Sequence, residues 1–148
     1  MRDESTLLDL ETLFSEVLGE KMQEFILPPP SFEIMQCEIL LYDKIEKSLL
    51  VKIPILNIWL NPYGTMQGGM IMGAMDNTVG PLSILVAPKN VTRTMESKLL
   101  KPITMDLEYI YIKAILIEHK KRRLIFDVFV KDKEENIYVK AKVTNWII

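Results

Sequence analysis

Apolar side chains recur at helical spacing near the start of the chain. Over residues 6–22 they form a single stripe between polar residues, and Ser5 or Thr6 supplies an N-terminal cap. This pattern predicts an amphipathic helix. The helix has to end before three consecutive prolines that begin at Pro28, because proline lacks an amide hydrogen and clashes with the preceding turn.

Two strand-like segments follow the prolines. Residues 32–42 and 48–55 are rich in apolar side chains and flank a polar turn at residues 43–47. We expect Cys37 to be a buried residue of the first strand. The next stretch, residues 57–67, contains proline and glycine and predicts an irregular loop.

The centre of the chain is almost free of charge. Between Lys52 and Lys89 lie 36 residues with one charged side chain, Asp76, whereas 26% of the whole chain is charged. Residues 68–87 within this stretch are mostly apolar on all sides and predict a buried helix. Proline removes one backbone hydrogen bond, so we expect a kink or a break at Gly80–Pro81.

Asp76 lies about two turns into the predicted helix. Its face of the helix also carries small and apolar residues, namely Gly69, Met72, Gly73, Val79 and Gly80. Each glycine weakens a helix by roughly 1 kcal/mol relative to alanine, so we expect another group to approach this backbone closely. A buried carboxylate requires hydrogen-bonding partners or a chemical task. A structural Asp76 that holds a neighbouring loop and a catalytic Asp76 both meet that requirement.

Four strand-like segments complete the chain. They lie at residues 91–100, 105–118, 124–130 and 137–146, with charged turns at 119–123 and 131–136. Alternate positions from Leu124 to Val130 are all apolar, which is typical of an antiparallel strand with one face on a core. A sheet that wraps around the long helix covers that helix most simply, so the pattern predicts an α+β fold.

Length and composition narrow the class of protein. A chain of 148 residues predicts one domain, and a net charge of −2 gives no reason to expect a nucleic-acid or anionic-membrane surface. The single cysteine forms no intrachain disulfide and favours a reducing compartment, so we expect the cytoplasm. The charged first residues do not resemble a secretory signal, and polar residues and prolines interrupt every window of about 18 residues in the uncharged stretch, which argues against a membrane span.

The central stretch carries a resemblance to a known family. Asn61, then Gln67-Gly68-Gly69, then Asp76 resembles the signature of hotdog-fold acyl-CoA thioesterases of the phenylacetyl-CoA (PaaI-like) type. In that family an Asn in the loop precedes a His-Gly-Gly that opens the central helix, and an acidic residue follows at this offset. Residues 91–102 are similar to the family's next strand, which begins with Ser or Thr and ends in a hydrophobic-x-Pro.

The resemblance covers residues 28–148 and implies the hotdog fold, an antiparallel sheet wrapped around a long central helix. Residues 1–27 are then an additional N-terminal helical arm of the same domain. One position departs from the family, because Gln67 stands where the family has His. Glutamine retains hydrogen bonding but does not titrate, which leaves the reaction rate and the acyl preference open.

The resemblance also implies a site that two subunits share. Asn61 and Gly68 come from one subunit, and Asp76 and Thr92 come from the other. Asn61 would position the water or the thioester, the Gly68 backbone N–H would polarise the carbonyl, and Thr92 would orient the water. Thr94 is an alternative to Thr92, because residues two apart share one face of a regular strand.

The residue types suit this chemistry. The first amides of a helix lack intrahelical partners and lie at the positive end of its dipole, so Gly68 or Gly69 can hold an acyl oxygen. We expect Gln67 and Gly69 to contact the substrate. Asp76 would act as a nucleophile or as a general base, and positioned proton transfer contributes roughly 10²–10⁴-fold.

These observations predict an acyl-CoA thioesterase that works as a homodimer or homotetramer, without a metal or another cofactor. The alternative is a catalytically weak or inactive acyl-CoA binding protein of the same fold, suggested by Gln67. A hotdog dehydratase fits less well, because it needs a catalytic His and His119 lies in a predicted turn. The basic residues 119–123 suit either a contact with coenzyme A phosphates or a solvated hairpin tip.

Overall fold

The computed structural model describes residues 9–148 as one six-stranded sheet with a long helix packed on one face. The helices are α1 (Leu10–Leu18), α2 (Pro30–Ile34) and α3 (Gly68–Val86). The strands are β1 (Glu38–Asp43), β2 (Ser48–Pro54), β3 (Asn90–Leu99), β4 (Tyr109–Lys120), β5 (Arg123–Lys131) and β6 (Ile137–Ile147). Every neighbouring pair is antiparallel, in the spatial order β1-β2-β4-β5-β6-β3, so β1 and β3 form the two edges.

The core lies between α3 and the inner face of the sheet. Alternate residues of β5, from Leu124 to Val130, are fully buried, as their spacing predicted. From the helix, Ala74, Met75 and Val79 are fully buried against them. The predicted α+β class, with a sheet around a central helix and an N-terminal helix outside it, is therefore confirmed.

The N-terminal helix is shorter than its apolar pattern predicted. The proposed caps at Ser5 and Thr6 lie outside the described residues, and α1 begins after Asp9, whose carboxylate accepts a hydrogen bond from the Glu11 amide. It ends at Leu18 rather than Met22, because Gly19 adopts φ 57°, outside the right-handed helical region. A 3₁₀ turn, Gly19–Glu24, continues from there.

The strand predicted from residue 32 is wrong in its first part. Pro30 occupies the first turn of α2, where its missing N–H costs nothing, and the helix continues to Ile34. Gln36, with φ 54°, turns the chain out of the helix, and β1 begins only at Glu38. Cys37 is therefore a half-buried residue ahead of the strand rather than part of it.

Of the kink or break expected at Gly80–Pro81, the break does not occur. Helix α3 continues through Pro81 to Val86, and the Ser83 hydroxyl donates 2.7 Å to the Gly80 carbonyl beside the proline. The prediction that α3 is buried on all sides is also wrong for the single chain. Asp76 is exposed, because the sheet covers only one side of the helix.

Three further features differ from the predicted ones. Residues Met105–Leu107 form a 3₁₀ turn that ends at Glu108 with φ 63°, so β4 begins at Tyr109. His119 lies in β4, opposite Leu124, and not in the hairpin turn. A third 3₁₀ turn, Asn57–Trp59, lies in the segment that was expected to be irregular. Among residues 9–148, no helix is long and apolar enough to cross a membrane.

We predict that the Cys37 thiol is almost unreactive in the folded protein. Burial raises its pKa from 9.0 to about 12, and the thiolate is the reactive form. At pH 8 an aromatic disulfide reagent should therefore react roughly a thousandfold more slowly with the native protein than with the urea-unfolded chain. The thiol has a pKa of 9.0 in the unfolded chain and about 12 in the folded chain. The protonated thiol therefore contributes fully to the free energy of unfolding below pH 9.0, and this contribution declines as the pH rises from 9.0 to about 12. Equal rates for folded and unfolded protein would contradict the burial of this thiol.

Candidate functional site

The exposed face of α3 carries a hydrogen-bonded pair. The Thr92 hydroxyl on β3 donates to the Asp76 carboxylate over 2.9 Å. Both side chains are exposed, so a molecule that approaches this side of α3 meets the carboxylate directly. The pair joins the central helix to the edge strand of the sheet.

A β-bulge explains why Thr92 and not Thr94 contacts the carboxylate. Thr92 is opposite Asn145 on β6 and Thr94 is opposite Thr144, so Arg93 is one residue too many in β3. Since Asn145 and Thr144 are consecutive, they lie on opposite faces of the sheet, and so do their partners. The expectation that the two threonines share a face is therefore wrong.

The start of α3 presents free backbone donors. Gln67 precedes the helix and its side chain makes no capping hydrogen bond. Within residues 9–148 the Gly68 and Gly69 amides have no partner. The Gln67 side chain lies against Gly69, with its Oε1 3.3 Å from the position that a Cβ of Gly69 would take. Unpaired amides at the positive end of a 19-residue helix form a site for a developing negative charge.

The side chain of Asn61 is hydrogen-bonded within its own loop. Its Oδ1 accepts hydrogen bonds from the Tyr63 and Thr65 amides at 3.0 and 3.1 Å, and its Nδ2 donates to Thr65 Oγ1 at 2.8 Å. Backbone hydrogen bonds between Asn61 and Thr65 and between Gln67 and Trp59 fold this loop back on itself just before α3. Asn61 therefore shapes the approach to Gly68.

The predicted site residues fall into two groups. Asn61, Gln67, Gly68 and Gly69 lie together at the start of α3, and Asp76 and Thr92 lie together further along it. Eight residues of helix separate Gly68 from Asp76, a distance of about 12 Å. A thioester carbonyl cannot contact both groups of one chain at once.

Two polar contacts at this site were not expected from the sequence. Asn77, the neighbour of Asp76, exchanges hydrogen bonds with Ser31 of α2 at 2.9 and 3.1 Å. Asn145, only 1% exposed, donates to Asn90 at 2.8 Å, and Asn90 donates to the Ser83 carbonyl of α3 at 3.3 Å. These amides hold α2 and the start of β3 against α3. The sequence contained one indication of these contacts, namely asparagine residues in otherwise apolar segments. It did not indicate which residues they would bond to.

Comparisons with known proteins support the architecture. No protein-family model and no curated protein sequence matches the chain. Among solved structures, the Escherichia coli PaaI protein of the phenylacetic acid degradation operon is similar at 13% identity, over 94% of this chain and 96% of that chain, with a TM-score of 0.76. A hypothetical thioesterase from Streptococcus pneumoniae with coenzyme A is similar at 22% identity, over 76% and 85% of the chains, with a TM-score of 0.69. The chain has the hotdog fold.

Two further observations concern other hotdog structures. The protein smu.793 from Streptococcus mutans, bound to acetyl-CoA, is similar at 21% identity over 74% of this chain and 86% of that one, with a TM-score of 0.68. The pneumococcal thioesterase has also been crystallised with an aspartate replaced by alanine and with a threonine sixteen residues later replaced by alanine. In the hotdog chain described here, Asp76 and Thr92 have the same separation.

We predict that Asn61→Ala destabilises the protein by about 1–3 kcal/mol, because two backbone amides lose their acceptor. Urea denaturation followed by circular dichroism measures the loss. Asn61→Asp, which keeps the oxygen that accepts both hydrogen bonds, should recover most of it. Asn57→Ala is the matched control, since Asn57 is an exposed residue of the same segment. An Asn61→Ala protein as stable as the Asn57→Ala protein would contradict the structural role of this side chain.

Proposed function

We propose that the chain is a thioesterase that hydrolyses acyl-CoA to the free acid and coenzyme A. The observation that carries the proposal is the Asp76–Thr92 pair on the exposed face of α3. One similar hotdog structure holds acetyl-CoA and another, the pneumococcal protein, holds coenzyme A. The pneumococcal protein has one variant at an aspartate and a second variant at a threonine, and these two residues are separated in sequence as Asp76 and Thr92 are. These findings favour coenzyme A thioesters as the substrates.

The start of α3 polarises the thioester carbonyl. The carbonyl oxygen accepts a hydrogen bond from the Gly68 N–H, which is aligned with the helix dipole. As the carbonyl carbon becomes tetrahedral, its oxygen gains negative charge and this hydrogen bond strengthens. Loss of one such donor typically costs 10²–10³-fold in kcat. Gln67 and Gly69 border the same opening and contact the substrate.

Asp76 supplies the attacking group in one of two ways. As a general base, its carboxylate takes a proton from water, the hydroxide oxygen bonds to the carbonyl carbon, and the carbon–sulfur bond breaks. As a nucleophile, the carboxylate itself displaces the coenzyme A thiolate, and water then hydrolyses the mixed anhydride. In both routes the thiolate leaves with the bonding electrons and is protonated. Thr92 fixes the carboxylate and orients the water.

The two groups of residues act together across a pair of subunits. Within one chain they are about 12 Å apart, so Gly68 of one copy faces Asp76 of the partner subunit. Several observations favour such a pairing. A Cβ on Gly80 would meet no atom within 4 Å, so this part of the glycine face is open. Ile58 and Tyr63, on the loop before α3, are 71% and 91% exposed. Strand β3 is an unpaired edge.

We predict that Asp76→Asn lowers kcat for the best acyl-CoA substrate by roughly 10²-fold or more. The substitution retains shape and most hydrogen bonding but removes the charge that attacks or takes the proton. Binding of acyl-CoA should persist, because the carboxylate acts on the reaction. Release of free thiol from a panel of acyl-CoAs measures kcat, and calorimetry measures binding.

Asp106→Asn is the matched control, because Asp106 also accepts a hydrogen bond from a threonine, Thr104, but lies on the 3₁₀ turn before β4. It should leave kcat near the wild-type value. An Asp76→Asn protein with near wild-type kcat would remove the catalytic role. Binding without thiol release by the wild-type protein would favour the alternative of an acyl-CoA binding protein.

We predict that Gly68→Pro lowers kcat by roughly 10²–10³-fold while the helix stays intact. Gly68 is the first residue of α3, where proline is favoured, and Gln67 has φ −64° and ψ 139°, which suits a residue before proline. The change therefore removes the proposed N–H donor alone. Gly68→Ala, which retains that N–H, should stay active. A Cβ there meets Leu99 Cδ2 at 3.8 Å, an ordinary contact.

A mixture of the two inactive variants tests the shared site. Heterodimers of Gly68→Pro and Asp76→Asn chains, purified through two different tags, contain one intact site and should recover roughly half of the wild-type kcat per dimer. Heterodimers as inactive as either parent would show that each site lies within one chain. A protein that sediments as a stable monomer at micromolar concentration would also show that each site lies within one chain.

A further inference from the structure

The sheet carries a cavity on the face that points away from α3. Its volume is about 350 Å³, near the lower end of the roughly 300–1,000 Å³ typical of sites for small ligands. We call it the outer cavity. Most of its lining comes from Leu41, Leu50, Tyr111, Lys113, Lys131 and Lys133. Leu49 and Val51, on either side of Leu50 in β2, are fully buried in the core. The sheet therefore separates the outer cavity from the Asp76–Thr92 pair.

Two leucines form an apolar floor in the outer cavity. Leu41 on β1 is directly opposite Leu50 on β2, so their Cβ atoms are about 5 Å apart. Leu41 reaches this face because Leu40 is an extra residue in β1. Ile39, two positions before Leu41, is opposite Val51 and is buried in the core. The bulge thus leaves Leu41 49% exposed where a regular strand would have turned it towards the core, and an exposed apolar floor suits an aliphatic chain.

Strand β4 provides the adjoining wall. Lys113 is opposite Leu50, and its Nζ lies 3.1 Å from Glu46 Oε1, so its charge is already paired. The Ser48 hydroxyl, which also borders the cavity, donates to the other oxygen of Glu46 at 2.7 Å. The hydrocarbon stem of Lys113 and the ring of Tyr111 therefore extend the apolar surface.

Unpaired positive charge lies on the opposite side of the outer cavity. Lys131 and Lys133 form no ion pair within residues 9–148. Lys131 is the cross-strand partner of Tyr111, and its Nζ lies 5.9 Å from the centre of the Phe129 ring. Lys133 is exposed in the turn between β5 and β6. Two free ammonium groups beside an apolar floor attract a carboxylate that is attached to an apolar tail.

Two carboxylates lie near these lysines. Asp132 is only 8% exposed, and its side chain accepts hydrogen bonds from the Glu134 and Asn136 amides, the Asn136 side chain and the Tyr138 hydroxyl at 2.9–3.2 Å. Those bonds fix the turn that carries Lys133. Glu135 is exposed on the same rim and is the carboxylate that repels an anion there.

We propose that the outer cavity binds a free aliphatic carboxylate, with its chain on Leu41 and Leu50 and its carboxylate between Lys131 and Lys133. Charge complementarity selects this class of amphiphile, because an alkylammonium ion is repelled by the two lysines and a neutral alcohol gains nothing from them. The inference stands on the cavity and does not need the proposed function. If the chain is a thioesterase, the ligand has the chemistry of the acid that hydrolysis releases, and the outer cavity is a second site for that product.

Calorimetric titration of the whole protein with sodium octanoate tests the binding. Octanoate should bind saturably, and roughly tenfold more tightly than hexanoate, because two more methylene groups leave water. Lys131→Met/Lys133→Met removes both charges at similar side-chain length and should raise the Kd for octanoate roughly tenfold. Lys140→Met/Lys142→Met is the matched control, since these lysines are exposed on β6 outside the cavity and should leave the Kd unchanged.

Glu135→Gln tests the same assignment with the opposite sign. Removal of the repelling charge should lower the Kd for octanoate about threefold. Leu41→Ser, at an exposed position, should raise it roughly tenfold through loss of the apolar floor. Weaker binding of octanoate to the Glu135→Gln protein, or binding of octylammonium as tight as that of octanoate, would overturn the inference.

Three outcomes separate the outer cavity from the proposed active site and from an interface. The Gly68→Pro protein should bind octanoate with the wild-type Kd. A Kd that rises in that protein and not in the double lysine variant would overturn the inference and leave the proposed function intact. Lysine-dependent binding by a protein that releases no thiol from acyl-CoA would support the outer cavity and overturn the thioesterase. A double lysine variant with an unchanged Kd and an altered sedimentation coefficient would show that a second copy covers this face, and would overturn the inference.

Discussion

Packing of α3 against the sheet is the constraint on which the rest of the molecule depends. Ala74, Met75, Val79 and Leu82 are fully buried on that side of the helix. Burial of each large apolar side chain contributes roughly 1.5–3 kcal/mol, so this face cannot rotate away from the sheet. With 3.6 residues per turn, a helix held in this orientation must point Asp76 away from the core. The position of the carboxylate thus follows from residues that take no part in chemistry.

The packing of α3 also explains how a charged Asp76 can lie among apolar residues in the sequence. It is the only charge in a long uncharged stretch, yet it retains contact with solvent and with the Thr92 hydroxyl. The bulge at Arg93 provides that hydroxyl, because the extra residue turns Thr92 towards the helix. Asn90 and Asn145 then fix the start of β3 relative to α3. One irregularity in an edge strand and two hydrogen-bonded side-chain amides, of which Asn145 is buried, therefore determine the geometry of the pair.

Regular periodicity was the part of the structure that the sequence revealed. The alternation from Leu124 to Val130 has the period of a strand, and the long, nearly uncharged run of α3 predicted a helix; both elements are present. The segments that were predicted wrongly depend on single residues. Pro30 starts a helix where apolar composition suggested a strand, and α3 continues through Pro81 although proline offers no N–H to the Asn77 carbonyl. For the candidate site, the spacing of Gly68 and Asp76 predicted which residues belong to it. It did not reveal the bulge, because an extra residue in a strand changes no local pattern.

The unpaired edge of β3 affects how readily a newly synthesised chain aggregates or is degraded. Ten residues there carry backbone N–H and C=O groups without a strand on the outer side, and such edges are templates for the addition of foreign strands. Arg93, Glu96 and Lys98 put charge of both signs along it, which weakens the attraction of any single-signed segment. Under the proposed assembly, a copy of the same chain covers this edge. Under that assembly, a chain that has not yet met its copy is vulnerable to aggregation and proteolysis, and the abundance of the protein is expected to rise more steeply than its rate of synthesis.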